Sequence, residues 1–142
     1  MNSANAKPEN PKKLFPMFVT EKFDAVRRFY AERLGCKVLY DTPEYVHYEY
    51  GDGPEIAFVR PDAFPGQPPR PVFGGAGAIL SVPTADADAL HAKLLKDPDA
   101  TVLNAPTNKP WGWRSFWVAD PTGLVLDFFH VVEEKPMQDA QG

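Results

Sequence analysis

The sequence predicts an α+β fold made of two βαβββ modules, and three observations support that prediction. Strand-like and helix-like segments follow one another in the same order in each half of the chain. Residues 61–77, which separate the halves, contain five prolines and four glycines, a composition that excludes regular structure. Near the end, Asp120-Pro-Thr-Gly123 joins two apolar runs as the turn of a β-hairpin. We therefore expect one folded domain over residues 14–132, with modules at 14–60 and 78–132.

The first module begins with the apolar run Leu14–Val19, which predicts a short and largely buried strand. Thr20 can cap the helix that follows, and Gly35 is a stop signal at its end. The apolar residues of this helix, at close to helical spacing, are Phe23, Val26, Phe29, Tyr30 and Leu34. Three further strands are predicted at Lys37–Tyr40, Tyr45–Tyr50 and Glu55–Val59.

The second module repeats the order. Ala78–Val82 is predicted to be a strand, and Thr84 can cap a helix whose first turn carries Asp86 and Asp88, which favour the positive end of the helix dipole. The apolar face of this helix consists of Ala87, Leu90 and Leu94. A strand at Thr101–Leu103 and the final hairpin complete the module. Because two such short units cannot each bury a face alone, we expect them to share one core.

Composition limits the functions that the chain can have. A net charge of −4 over 142 residues argues against nucleic acid as a partner, since no basic stripe is available to neutralise phosphates. The single cysteine, Cys36, excludes an intramolecular disulfide and is interpreted as a packing thiol. Residues 1–13 and 133–142 are predicted to be disordered tails, without a signal peptide or a membrane span. We expect a cytoplasmic protein that does not bind membranes.

The last hairpin carries the pattern WGxRxF…DPxG, which runs from Trp111 to Phe116 and from Asp120 to Gly123. Together with the repeated βαβββ order, this pattern resembles the vicinal-oxygen-chelate superfamily, which includes glyoxalase I, bleomycin resistance proteins and extradiol dioxygenases. The resemblance covers about residues 14–132. It implies the glyoxalase/bleomycin resistance fold, in which curved mixed sheets share an open cup, and it implies that the functional site is inside the cup.

The resemblance also implies a place for a metal. In metal-using members the acidic residue four positions after the turn glycine is a ligand, and here that residue is Asp127. The other ligands of the family would come from the first strand of each module and the last strand of the first module. Lys13–Val19 and Gly74–Val82 contain neither His nor a carboxylate, and Glu55 stands only at the beginning of its strand, ahead of Ile56–Phe58. Because one ligand cannot hold a divalent metal, we expect no metal and no cofactor.

Two other polar residues could contribute to a metal site that differs from that of the family. His47 and Glu49 are two positions apart on a predicted strand, so their side chains project from one face. Combined with Asp127, they would form an unusual metal site. The alternative is that they line the cup or face solvent as polar residues of a half-buried strand.

A cup without its metal ligands resembles the bleomycin resistance proteins, which hold a planar or cationic molecule between aromatic walls at the interface of two subunits. Such a site needs stacking surfaces and a few polar groups that fix the orientation of the ligand. The predicted ligand-binding residues are Trp111, Trp113, Arg114, Asp127, His47 and Glu49. Further aromatic candidates are Phe116, Trp117, Tyr45, Tyr48, Phe64 and Phe73.

Several candidates have a structural alternative. Arg114 can pair with a ligand carboxylate or phosphate, or it can form an ion pair within the protein. Trp111 and Trp113 suit either the rim of a site or a dimer contact. The linker at 61–77 is longer than most connections and can be a lid or a passive connection.

Three functions remain open. The first, which the missing metal ligands favour, is non-enzymatic binding of a small aromatic or cationic ligand by a homodimer of the antibiotic-resistance type. The second is an enzyme of the same superfamily, a lyase, isomerase or dioxygenase, with an irregular metal site or with Asp127, His47 or Arg114 as acid–base groups. The third is a structural or regulatory subunit whose cup is filled by its own aromatic side chains.

Overall fold

The element order confirms the two βαβββ modules. The structure is a computed structural model that describes residues 13–68 and 71–134. The elements of the first module are β1 (Met17–Val19), α1 (Phe23–Val26), β2 (Lys37–Asp41), β3 (Tyr45–Glu49) and β4 (Glu55–Val59), and α1 continues as a π-helix over Arg27–Arg33. Those of the second module are β5 (Ile79–Pro83), α2 (Ala87–Leu94), β6 (Thr101–Val102), β7 (Thr107–Asn108), β8 (Trp113–Ala119) and β9 (Val125–Val131). The short strand β7 was not predicted.

Each module forms one mixed sheet. The strand order is β1-β4-β3-β2 in the first sheet and β5-β9-β8-β6 in the second, where β7 also pairs with β8. The first strand of each module runs parallel to the last, while the remaining neighbours are antiparallel. Apart from β7, the two halves therefore have the same topology, as the repeated element order predicted.

The core is shared between the modules. In β9 the side chains of Leu126 and Phe128 are buried, as is that of Leu124 just before the strand, and those of the alternate residues are half-buried, as expected for a strand with one covered face. These residues belong to one apolar cluster with Phe23 and Phe29 from the first helix. Neither sheet is thus packed only by its own helix, and burial of apolar surface, the dominant stabilising term, depends on both modules.

The predicted threonine caps are wrong at both helices. The hydroxyl of Thr20 accepts a hydrogen bond from the Lys22 amide at 3.1 Å, and the helix begins afterwards without a side-chain cap. In the second helix the cap is Asp86, whose carboxylate accepts from the Ala89 amide at 3.1 Å. Thr84 instead donates its amide to the carbonyl of Phe129 at 2.8 Å, so it extends the pairing of β5 with β9.

A buried hydrogen bond joins the modules. The Tyr30 hydroxyl, on the π-helical segment, donates to Asp120 Oδ2 at 2.6 Å in the turn between β8 and β9. Burial raises the pKa values of both groups, and the nearby Asp120 carboxylate raises that of Tyr30 further. A second link is the pair of hydrogen bonds from Arg28 to Asp99, at 2.8 and 2.9 Å.

The linker contacts both modules. The Phe73 amide donates to the carbonyl of Val19 at 2.8 Å, which continues the edge of β1, and the Phe73 ring packs edge-on against Phe18. Gly75 then passes Gly123 so closely that a Cβ on Gly75 would lie 2.9 Å from the Gly123 carbonyl oxygen. This part of the linker is therefore packed onto the fold.

The predicted tails at 1–13 and 133–142 lie outside the described residues, apart from Lys13, Glu133 and Glu134. Lys13 donates a hydrogen bond to the Gly53 carbonyl at 2.7 Å, and the Glu133 amide donates to Gly112 at 3.1 Å. Within the described ranges, no helix has the length and apolar character needed to cross a bilayer.

Candidate functional site

Each sheet has one face turned away from the helices, and the candidate site residues divide between these faces. Strand register places on the first helix-free face the side chains of Tyr45, His47, Glu49, Glu55 and Ala57. It places on the second helix-free face those of Ser115, Trp117, Val125, Asp127 and Phe129. The opposite sides of both sheets supply residues of the shared core.

The second helix-free face is aromatic. Trp113 stacks on Phe129 with ring centroids 3.7 Å apart and planes 10° from parallel, and Trp111 meets Trp113 edge-on at 6.4 Å. Trp111 is 50% exposed and Trp117 is 39% exposed. Such rigid, partly exposed rings provide the stacking surface that a planar ligand needs.

Asp127 supplies the negative charge on this face. It lies opposite Trp117 in the register of β8 and β9, and its Oδ2 accepts a hydrogen bond from the Ser81 hydroxyl at 3.3 Å. Its Oδ1 is buried and has no hydrogen-bond partner within the described part of the chain. Because an unpartnered buried carboxylate oxygen costs free energy, this atom is suited to a donor from outside the protein.

Arg114 lies on the other side of the same sheet. Its guanidinium donates two hydrogen bonds to the carboxylate of Asp88, at 2.8 and 2.9 Å, and a third to Asn108 at 3.1 Å. These bonds lower the pKa of Asp88 and raise that of Arg114. On this side His130 also accepts a hydrogen bond from the Ala87 amide at the start of α2. The structure therefore does not bring Arg114 together with Asp127.

The first helix-free face carries a hydrogen-bonded array centred on His47. Its Nε2 lies 2.8 Å from Glu55 Oε1, and its Nδ1 lies 2.8 Å from the Tyr45 hydroxyl. The Phe15 ring packs against the imidazole with centroids 4.4 Å apart. Glu49 does not bond to His47 in this arrangement and instead lies 3.7 Å from the Lys13 amine.

Sequence reasoning missed the roles of Tyr45 and Glu55 beside His47. The turn at Gly51-Asp52-Gly53 contained the missing signal, because a hairpin there sets the register in which Glu49 pairs with Glu55 and His47 with Ala57. In that register the Glu55 side chain is a diagonal neighbour of His47 on the same face, within reach of a long side chain.

The metal that the fold family implies does not fit these residues. Among the described residues, no three His, Cys, Asp or Glu side chains are grouped so that they can hold a metal ion. Asp127 has Ser81 beside it, while His47 is engaged by Tyr45 and Glu55. We therefore derive no chemistry from a bound metal.

A cavity of about 320 Å³ lies between the modules. Its lining is mainly apolar and includes Pro16, Ile79 and Pro83, together with the polar residues Glu55 and Ser81. Since Glu55 bonds to His47 and Ser81 bonds to Asp127, the cavity lies beside both polar clusters. Its size and lining are those of a small-molecule pocket.

Several other aromatic candidates have structural roles. Tyr48 and Phe116 are fully buried in the core, and Phe73 packs against Phe18 at the linker. Phe64 is 43% exposed.

The chain has similarities to proteins of known sequence and structure. The sequence profile of the Glyoxalase/Bleomycin resistance protein/Dioxygenase superfamily matches residues 15–128. A solved structure of a glyoxalase/bleomycin resistance protein/dioxygenase from Nocardioides is similar with a TM-score of 0.65 and 18% identity, over 95% of this chain and 93% of that chain. A glyoxalase/bleomycin resistance protein from Streptomyces sp. CB03234 is similar with a TM-score of 0.60 and 27% identity, over 82% and 97%.

A third similar structure is a bleomycin resistance determinant encoded on the transposon Tn5. Its TM-score is 0.58 and its identity is 18%, over 85% of this chain and 98% of that chain. No curated protein sequence matches the chain.

Proposed function

Because the chain belongs to the glyoxalase/bleomycin resistance protein/dioxygenase superfamily, we propose that it binds a small aromatic, cationic molecule without a metal. The predicted fold is that of this superfamily and is confirmed. The proposed site is the second helix-free face, where the tryptophans provide stacking surfaces and Asp127 provides the charge.

The observation that carries the proposal is the unsatisfied hydrogen-bonding capacity of Asp127 Oδ1 within the described part of the chain. Its Oδ1 is buried without a hydrogen-bond partner among the described residues, next to the exposed ring of Trp117. A cationic group that donates a hydrogen bond to Oδ1 would relieve this cost, while the planar part of the same molecule stacks on the rings. A metal-free site is supported by the positions of the described His, Cys, Asp and Glu side chains, no three of which are grouped so that they could hold a metal ion.

We also propose that the protein acts as a homodimer in the cytoplasm and that its ligand is an antibiotic. Large apolar side chains on the second module are exposed, including Ile79 at 50% and Val131 at 54%. A second chain that covered these side chains would remove their apolar surface from water. Analytical ultracentrifugation of the samples used for ligand binding should therefore give the mass of two chains.

Tryptophan fluorescence tests the binding proposal directly, because all three tryptophans of the chain lie on or beside β8. Titration with bleomycin and other planar cationic antibiotics should quench or shift the emission to saturation. Asp127→Asn should weaken binding about tenfold or more, since it removes the charge from a charge-assisted hydrogen bond, and Trp117→Ala should weaken it through loss of stacking.

Asp88→Asn is the matched control, because Asp88 pairs with Arg114 on the helix side of the same sheet. It should leave the affinity unchanged. Equal effects of Asp127→Asn and Asp88→Asn, or emission that responds to none of the compounds, would contradict the proposal. Stoichiometric zinc, iron, manganese or nickel in the purified protein would contradict its metal-free part.

A further inference from the structure

We propose that Tyr45, His47 and Glu55 form a general-base relay that makes the Tyr45 phenol a nucleophile toward small electrophilic acyl compounds. This site lies on the first helix-free face, whereas the proposed ligand site at Asp127 lies on the second. It is an activity beyond ligand binding.

The hydrogen bonds determine the direction of the relay. The Glu55 carboxylate accepts a hydrogen bond, so the proton of neutral His47 resides on Nε2, 2.8 Å from Glu55 Oε1. Nδ1 then has a free electron pair and accepts from the Tyr45 hydroxyl at 2.8 Å. A hydroxyl bonded to a base that is itself oriented by a third group is the arrangement that activates a nucleophile.

Tyr45 is more exposed than the imidazole to which it bonds. His47 is 5% exposed and lies against the Phe15 ring, while the Glu55 side chain is 15% exposed. Tyr45 is half-buried. A small molecule therefore meets the phenol rather than the imidazole.

Burial, with a smaller effect of nearby charges, keeps the Tyr45 phenol protonated before the reaction. Lys13 Nζ lies 3.7 Å from Glu49 and 3.9 Å from Glu55, so it partly neutralises the two carboxylates. Burial, with smaller effects of Tyr40 and Glu55, raises the pKa of Tyr45. The phenol thus keeps its proton at neutral pH and needs His47 to remove it during the reaction.

The chemical step is balanced without any further reactant. The Tyr45 oxygen forms a bond to the acyl carbon as its proton passes to Nδ1 of His47, and the ionised Glu55 stabilises the resulting imidazolium. The bond from the acyl carbon to the leaving group breaks, and the leaving group departs with the electron pair. Loss of the proton from His47 to water returns the imidazole to its neutral form, and Tyr45 remains acylated, so the reaction stops after one acyl group per chain.

Tyr40 provides an internal comparison. It is 61% exposed and its ring lies 5.9 Å from that of His47, but no hydrogen bond joins it to the imidazole in the described structure. If exposure alone controls reactivity, Tyr40 reacts first. If the relay controls it, Tyr45 reacts first.

The test uses the full-length protein and p-nitrophenyl acetate as the probe. Release of p-nitrophenol is followed by absorbance, and the acetylated residue is identified by peptide mass spectrometry. Tyr45 should be acetylated at least about tenfold faster than Tyr40, a threshold set below the roughly 100-fold lower end of general-base effects because Tyr40 is the more exposed of the two. Tyr45→Phe should abolish this labelling, whereas Tyr40→Phe should not change it.

Glu55→Gln and His47→Gln show whether the relay is responsible. Either substitution should slow Tyr45 acetylation about tenfold or more, and Glu55→Gln keeps an oxygen that accepts from Nε2, so it carries the test if His47→Gln fails to fold. Acetylation of Tyr45 no faster than that of Tyr40, or a rate unaffected by Glu55→Gln, would overturn the proposal.

Discussion

Asp120 accepts hydrogen bonds from four donors in the interior of the protein. Its Oδ1 accepts from the amide and hydroxyl of Thr122 and from the Leu124 amide, and its Oδ2 accepts from Tyr30. The first three bonds belong to the turn, and Pro121 and Gly123 in the sequence predicted that turn. The fourth comes from a residue 90 positions away, and no local pattern encodes a partner at that distance.

Tyr30→Phe should lower the free energy of unfolding by about 1–3 kcal/mol, because it leaves Asp120 Oδ2 buried without a donor. Urea denaturation measures the change. Tyr40→Phe is the control and should have little effect, since Tyr40 is exposed. An equal loss in both variants would show that the buried bond does not stabilise the fold.

The same substitution should change the response of stability to alkaline pH. Tyr30 keeps its proton in the folded state because its pKa is raised well above the usual value. In the unfolded state a tyrosine ionises at about pH 10. The folded state then binds more protons, so the free energy of unfolding falls as pH rises above about 10. Tyr30→Phe should make this fall less steep.

At the scale of elements, periodicity and turn residues predicted the strands and helices, but not their ends. Thr20 and Thr84 were both wrong as caps, because tertiary pairing decides where each helix begins: the first has no side-chain cap, and the second is capped by Asp86. The linker was likewise predicted only in part. Its prolines and glycines predicted irregular structure, but its contacts with Val19 and Gly123 depend on where the modules meet.

Gly75→Ala tests the packing of the linker. Gly75 has φ of +86°, and a Cβ there would meet the Gly123 carbonyl at 2.9 Å, so both the conformation and the space are unfavourable. We expect a loss of about 1–3 kcal/mol in the free energy of unfolding, measured by urea denaturation. Gly74→Ala is the matched control, because nothing lies within 4 Å of a Cβ at that position. A neutral Gly75→Ala would mean that the linker is not held against the turn.

For the whole molecule, the repeated element order and the final hairpin predicted the topology and the family. The distribution of the candidate site residues over the faces of the two sheets was less predictable. Alternation along β8 and β9 separates Arg114 from Asp127, but the partner of Arg114 is Asp88 on α2, and that pairing depends on how the helix lies across the sheet. The His47 array likewise depends on the register of two strands.

The shared core leads to a prediction about folding. Because α1 packs in the same cluster as Phe116 and Phe128 of the second sheet, the protein should unfold in one cooperative transition. Circular dichroism and tryptophan fluorescence should give coincident denaturation curves. A chain of residues 1–60 should lack stable secondary structure by circular dichroism, and a folded fragment would refute the shared core.

The bond between Asp120 and Tyr30 also bears on whether the two modules are interchangeable. Tyr50 and Asp120 occupy the same place in their hairpins, since each donates its amide across the turn, to Pro54 and Leu124. The side chain of Tyr50 interacts with Thr84 of the second module, just as Asp120 reaches Tyr30 of the first. Because each module holds the other through a different residue at this place, a chain built from two copies of either module would lose one of these contacts.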